Sequence, residues 1–239
     1  MNNQVLDCAC VIHGDKYHWD YVERLYNMIK RNSKYNVCMH VFTEKKRTIP
    51  SHMIKHVLHE WPGVSGPNKA WWYKMQMFDA AHFSGKLLYM DLDVVITKNI
   101  DWLWSQDTNY FWAIRDFKYL WIPTWRGMNS SVMLWDTNRW KKIWEEFQNR
   151  NLASTIRQFH GDQDFLNTMI SKKHLRFFDQ DSVKSWRWQI KDGGLNMKSR
   201  TYNNPAAGSI LTPQTSIMVF HGSPKPHELA DPTVLSHWQ

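Results

Sequence analysis

The chain has 239 residues, 43% hydrophobic and 22% charged, which suits one large α/β domain with at most a small subdomain. A formal net charge of +8 favours anionic partners: a nucleotide diphosphate, a phosphorylated acceptor or an acidic membrane surface. Lys and Arg form no dense block, which argues against nucleic acid, and no apolar run approaches the roughly 20 residues that span a bilayer.

Met1-Asn2-Asn3-Gln4 has neither a basic n-region nor an apolar h-region, so no secretory leader is expected. The expectation is a cytoplasmic protein, with peripheral docking at an anionic inner membrane face left open. Val5 to Ile12 reads as a strand, followed by the loop His13-Gly14-Asp15-Lys16-Tyr17. A helix follows, with Val22, Leu25, Tyr26 and Ile29 on one apolar face, and then a strand from Val37 to Phe42. Strand, helix, strand begins a parallel sheet with crossover helices. Ligands of such sheets sit beyond the carboxyl ends of the strands, which places the loop His13 to Tyr17, with His13, Asp15 and Tyr17, and Thr43-Glu44 at the mouth of a site. Cys8, Cys10 and Cys38 fall in the two strands without metal-ligand or C-x-x-C spacing, and read as reduced thiols.

Pro62-Gly63-Val64-Ser65-Gly66-Pro67 punctuates the chain before a helix expected from about Ala70 to Phe83. Trp71, Met75, Phe78 and His82 share one face of it, as a core stripe would, and Lys74 lies beside them. Lys86 to Ile96 reads as an apolar strand in which Asp91 and Asp93, two apart, project from the same face. A helical turn at Asn99–Leu103 and a strand from Tyr110 to Ile114 come next. Asn129-Ser130-Ser131 reads as a polar loop entering a buried strand, followed by a helix from Asn138 to Gln148. Gly161-Asp162-Gln163-Asp164 opens another helix, with Asp162 as its N-cap and Phe165 and Met169 inward. Leu175 to Phe178 is a short strand. The polar stretch 186–215, rich in Gly and Asn, reads as an acceptor loop or lid. Ser216 to Phe220 forms a strand that ends in His221-Gly222-Ser223-Pro224-Lys225-Pro226.

Two carboxylates at the carboxyl end of a parallel strand suit a hard divalent cation, which can grip a diphosphate. Fifteen Trp exceed what a core of this size needs, and indole faces pack against the C–H face of a pyranose. Trp121 to Trp125 and Trp186 to Trp188 serve equally as an acceptor platform, as core or as a subunit contact.

Four features occur in one order: Asp91/Asp93, Asn129-Ser130-Ser131, Asp162-Gln163-Asp164, and His221-Gly222-x-x-Lys225-Pro226. In this the chain resembles the GT-A-fold glycosyltransferases, most closely the retaining family of glycogenin and the bacterial lipooligosaccharide galactosyltransferases. That family has a Tyr-x-Asp-x-Asp strand, an Asn-Ala-Gly-like loop, an Asp-Gln-Asp helix start and a His-x-x-Gly-x-x-Lys-Pro segment. The resemblance runs from Val5 to Pro226. It implies a single GT-A domain over residues 1–239, Rossmann-like, with a mostly parallel sheet flanked by helices. It also implies a UDP-sugar donor and a glycan, lipid-linked or protein acceptor.

Residue by residue, the resemblance implies Mn²⁺ bound by Asp91, Asp93 and His221. An imidazole beside two carboxylates favours Mn²⁺ over the alternative Mg²⁺. Lys225 resembles the lysine that neutralises the leaving diphosphate, and Lys74 a donor-binding basic position. Asn129, Ser130 and Ser131 lie where the family contacts the donor sugar, Gly222 beside the donor, and Asp162 and Gln163 near the anomeric carbon. Ser130-Ser131 departs from the family's small residue and Gly, and the His-to-Lys segment is shorter than the family's.

Three functional classes stay open on the sequence: a glycosyltransferase, a metal-dependent nucleotidyl- or phosphotransferase, and a non-catalytic carbohydrate-binding protein. The second lacks a P-loop and any Gly-x-Gly-x-x-Gly. The third leaves Asp91, Asp93 and His221 without a role. Retention follows from the resemblance; an inverting enzyme would need a base, for which Asp162 or Asp164 are the candidates.

Overall fold

The computed structural model describes residues 5–65 and 69–239. The Met1–Gln4 reading and the Gly66-Pro67 part of the punctuating stretch lie outside these residues. The chain runs β1 (Val5–Val11), α1 (Asp20–Arg31), β2 (Asn36–Thr43), β3 (Ile54–Val57), a 3₁₀ segment Ala70–Phe78, β4 (Lys86–Met90) and β5 (Val94–Ile96). It continues through α2 (Asp101–Trp104), β6 (Phe111–Arg115), β7 (Met128–Asp136), α3 (Thr137–Trp140), α4 (Lys142–Gln148), α5 (Leu152–Gln158) and α6 (Asp162–Met169). Last come β8 (Leu175–Phe177), β9 (Val183–Ser185), a π-helical turn at Trp186–Ile190, β10 (Ile217–Val219) and α7 (Pro232–His237).

Seven strands form the main sheet in the order β3-β2-β1-β4-β7-β6-β8, all parallel except β7, which runs against β4 and β6. A sheet of this kind is covered on both faces, so its strands are apolar on both sides. Leu6, Cys8 and Cys10 of β1 enter one core with Met39, Val41 and the apolar face of α1. Ala9, between them, enters the other core with Phe42, Trp72, Phe78 and Trp135. Cys8 and Cys10 are buried, whereas Cys38 is half-exposed. The expected α/β architecture with a mostly parallel sheet is therefore observed.

A smaller sheet, β5-β10-β9, packs beside the first. Its existence corrects the reading of Lys86 to Ile96 as one strand. The chain leaves the main sheet at Met90, turns through Asp91-Leu92-Asp93, and re-enters sheet structure at Val94 in the smaller sheet. Two backbone bonds hold this turn between the sheets. Asp91 N–H donates to Ser131 C=O on β7 (2.7 Å), and Phe220 N–H donates to Asp93 C=O (3.1 Å). The two carboxylates thus converge through a turn, not through strand alternation.

Other expectations are corrected in detail. The segment after Ala70 is 3₁₀ and ends at Phe78, and His82 is exposed beyond it. Asn129 to Ser131 belong to β7 itself. Pairing of β7 with β6 jumps from Ala113↔Met133 to Ile114↔Asn129, which leaves Ser130 to Val132 without partners on β6. Such an irregularity re-aims side chains toward a site. The expected helix Asn138–Gln148 is two short helices, and α5 was not anticipated. Gly161, in extended backbone, is the N-cap of α6 without a side-chain bond, so Asp162 is its first helical residue and does not cap it. At the start of 186–215, Trp186 and Ile190 are buried, and Trp186 stacks on Phe220 with ring centroids 5.0 Å apart. No helix among the described residues is long and apolar enough to cross a membrane.

Candidate active site

A pocket of about 170 Å³ opens at the carboxyl ends of β1 and β4, lined by Val11, His13, Lys16, Tyr17, Ala70, Trp71, Lys74, Tyr89, Asp91, Leu92 and Asp93. Lys74, Asp91 and Asp93 on its floor each have a counter-charge. Lys74 Nζ lies 2.8 Å from Asp91 Oδ1, 3.6 Å from Asp162 Oδ2 and 3.2 Å from Ser130 Oγ. Lys225 Nζ bonds Asp93 Oδ2 and, at 3.0 Å, the Phe220 carbonyl. Tyr17 Oη donates to Asp93 Oδ2 at 2.8 Å, and Tyr89 Oη donates to Asp91 Oδ1.

This pairing sets the protonation states. Burial opposes ionisation of Asp91, but the charge of Lys74 and hydrogen bonds from Lys74, Tyr89 and Ser131 outweigh it, so the carboxyl titrates below the usual range. Asp162 is pushed the other way. Its burial, at 4% exposure, raises it more than Lys74 lowers it. Burial also works against the Lys74 ammonium, yet Asp162 and Asp91 overcome it and raise its pKa. Lys16 is lowered by burial and by the Lys225 charge, against the pull of Asp93 and Asp91.

The loop after β1 is pinned from below. Glu44 accepts from the Gly14 N–H (2.6 Å), from Thr43 Oγ1 (2.8 Å) and from Arg47 Nε (3.0 Å). Although burial opposes it, those bonds lower the Glu44 pKa to about 2. Thr43 is buried beneath this knot and lines neither pocket. Asp15 lines an adjoining pocket with Glu44, Lys46 and Glu60. His13 faces both, its Nε2 bonded to Glu60 (3.1 Å) and its ring 4.4 Å from that of Tyr73.

On β7, Asn129 Oδ1 accepts from Ser131 N–H (3.0 Å), which shapes the irregular segment. Ser130 N–H reaches Gln163 Oε1 at 3.4 Å, so Gln163 of α6 lies against the same segment. Gly222 adopts φ +75°, a conformation that favours glycine, and turns the chain from β10 toward Lys225.

His221 sits apart from this group. Its Nε2 is 2.6 Å from Ser185 Oγ, and its ring lies against Trp188 (4.1 Å) and Phe117 (5.3 Å). Asp91, Asp93 and His221 do not bring ligand atoms within 4.8 Å of one another. Burial, with Arg187 and Lys225 nearby, lowers the His221 pKa to about 4, so the imidazole is neutral at physiological pH, the form that ligates metals. The paired carboxylates fit a hard divalent cation; in this arrangement His221 is held by Ser185 instead.

The structure therefore brings together His13, Tyr17, Lys74, Asp91, Asp93, Ser130, Asp162 and Lys225. The sequence places Lys16 and Glu44 at the site mouth without a role for either, gives no sign of Arg47, and presents Trp71 only as core. Lys16 was legible from its place in the loop beyond β1. Three buried polar atoms around the pocket, His13 Nδ1, Trp71 Nε1 and Asp162 Oδ2, have no hydrogen-bond partner among the described residues. Unpaired buried polar groups are rare in folded proteins and call for an explanation such as a ligand.

No protein-family model and no curated protein matches the sequence. Among solved structures, the chain is similar to the galactosyltransferase LgtC in complex with donor and acceptor sugar analogs. That match has a TM-score of 0.63 and 14% identity, over 92% of this chain and 89% of that one. It is similar to mouse xyloside xylosyltransferase 1 in its apo form, with TM-score 0.56 and 11% identity, over 91% and 98% of the two chains. WbbM, a bifunctional glycosyltransferase, aligns at TM-score 0.61 and 13% identity, over 93% of this chain and 46% of that one. The chain has the GT-A fold of these glycosyltransferases, and at such identities the likeness is one of fold.

Proposed function

We propose that this protein is a metal-dependent glycosyltransferase that moves a hexose from a UDP-sugar to a hydroxyl acceptor with retention at the anomeric carbon. The observation that carries the proposal is the convergence of Asp91, Asp93, Lys74 and Lys225 at the carboxyl end of the parallel strands of a GT-A fold. A divalent cation, Mn²⁺ by preference, would be held by Asp91 and Asp93, with His221 the candidate third ligand after a shift away from Ser185. When bound, it supplies charge stabilisation for the leaving diphosphate.

The chain's own residues account for the rest. Lys225 is tied to Asp93; released from that carboxylate, its ammonium would offset the negative charge that develops on a departing β-phosphate. Lys74 keeps Asp91 ionised and holds Asp162 in place from the other side. Asp162 Oδ2, buried and 3.6 Å from Lys74 Nζ but without a hydrogen-bond donor, is an acceptor ready for a sugar or acceptor hydroxyl. Ser130, Ser131 and Gln163 close that side with small polar groups. The exposed Trp121, Ile122 and Trp125 offer faces for the acceptor, whether a glycan, a lipid-linked saccharide or a protein.

Calorimetric titration of UDP with Mn²⁺, with Mg²⁺ and with chelator tests this reading. Binding that requires the metal, and that is lost in Asp91→Asn and Asp93→Asn, is the expected outcome. Equal affinity in chelator, or unchanged affinity in both variants, would sink it.

A further inference from the structure

The sequence spacing of the cysteines points to no metal, but the sheet assembles a ligand set that spacing cannot reveal. Asp7 of β1 stands opposite Cys38 of β2 in the parallel register, and His40 follows two residues on, so all three project from one face. One ligand atom from each lies within 4.8 Å of the other two. The group is at the start of β1, four residues before Val11, or about 13 Å from the donor pocket at ~3.3 Å per strand residue.

We propose that Asp7, Cys38 and His40 form a second metal site, of the zinc class, separate from the donor pocket. A thiolate, an imidazole and a carboxylate suit a borderline cation such as Zn²⁺, whereas Mn²⁺ and Mg²⁺ favour oxygen-rich shells. Ligands ~2.0–2.3 Å from a tetrahedral ion sit roughly 3.5 Å from one another. No pair here is more than 4.8 Å apart and His40 Nε2 and Asp7 Oδ1 are at 3.0 Å, so side-chain adjustment suffices. His40 is buried at 6% exposure, while the Asp7 side chain is 35% exposed, which provides an entry path from solvent.

A partner behind the ligands completes the site. His40 Nε2 faces Asp7 Oδ1 at 3.0 Å, and His40 Nδ1 faces His56 Nε2 at 2.9 Å. His56 stacks on Phe42, with ring centroids 4.5 Å apart, and is held there behind His40. With a cation bound, His40 Nδ1–H would donate to His56 Nε2 and leave the His40 Nε2 lone pair, which faces Asp7, for the metal. Metal-bound histidines are commonly oriented this way by their other nitrogen. On binding, Cys38 gives up its thiol proton to solvent, the S–metal bond replaces S–H, and no electron changes hands. The three protein ligands leave a fourth position for water.

Co²⁺ is the probe, titrated into the full chain after chelator treatment. One equivalent should bring a near-ultraviolet thiolate-to-cobalt charge-transfer band, displaced by Zn²⁺. Cys38→Ser should abolish the band, with Cys8 and Cys10 still buried in the opposite core, and Asp91→Asn should leave it unchanged. His56→Ala should weaken Co²⁺ binding about 10–100-fold. No band in the native chain, or a band that survives Cys38→Ser, overturns the proposal. If Cys38→Ser fails to fold, Asp7→Asn decides: unchanged Co²⁺ affinity rejects the site, and weakened affinity supports it.

Discussion

At position 74 a single buried ammonium serves two carboxylates from different elements, Asp91 in the inter-sheet turn and Asp162 on α6. Removing one partner of a buried ion pair leaves uncompensated charge, at a cost of about 3–5 kcal/mol. Lys74→Met should therefore lose stability of that order in urea denaturation at pH 7; a loss under about 1 kcal/mol would mean that water solvates both acids without it. Glu44 makes a pH-dependent case. Its folded pKa, about 2, lies below its ordinary value near 4.5, so its contribution is fully present above about pH 4.5 and is lost as pH falls toward 2. The stability gap between the native chain and Glu44→Gln should be widest near neutrality and shrink between pH 4.5 and 2. A gap independent of pH would show that the carboxylate's charge is irrelevant to the knot under Gly14. Of these two positions, Lys74 was legible in the sequence as a basic group near the metal motif. Glu44 was legible only as a member of a loop, because its three donors come from Gly14, Thr43 and Arg47, and the approach of residues 14 and 44 exists only once β1 and β2 pair.

Among the elements, β1, α1 and β2 follow closely from local pattern, since continuous apolar runs and a 3.6-residue stripe each specify one structure. The Asp91–Asp93 turn does not. Its flanks are apolar on both sides, as a single buried strand's would be, and only the second sheet, closed by β9 and β10 from more than eighty residues later, makes the chain leave the first. Asp162 likewise matches a capping residue, but its carboxylate turns inward to Lys74 and leaves the cap to Gly161. The turn at Gly222 lends itself to test. With φ +75°, a side chain there costs about 1–2 kcal/mol, and any relaxation moves the segment that presents Lys225 to Asp93. Gly222→Ala should lose stability by about that amount and weaken metal-dependent UDP binding as well. Weakened stability with full UDP affinity would separate the turn from the site.

Over the whole molecule, the parallel sheet carries a candidate site at each end of β1: the proposed donor pocket beyond Val11 and the Asp7–Cys38–His40 group at its start. The fold was legible because four short motifs recur in one order, and the same motifs pointed to the residues that meet at this pocket, His221 excepted. The second group was not, because its three residues are joined by strand register and not by spacing. Separation by about 13 Å with no shared side chain predicts independence. A ligand at 100 times its Kd stabilises the native state by about 2.7 kcal/mol, which in a chain of this size raises Tm by roughly 5–10 °C. UDP with Mn²⁺ should produce such a shift through the donor pocket, Zn²⁺ a shift of its own through the second group, and the two together their sum. Asp93→Asn should erase only the first and Cys38→Ser only the second. A combined shift no larger than either alone would mean that both cations compete for one site, and the two-ended arrangement would have to be given up.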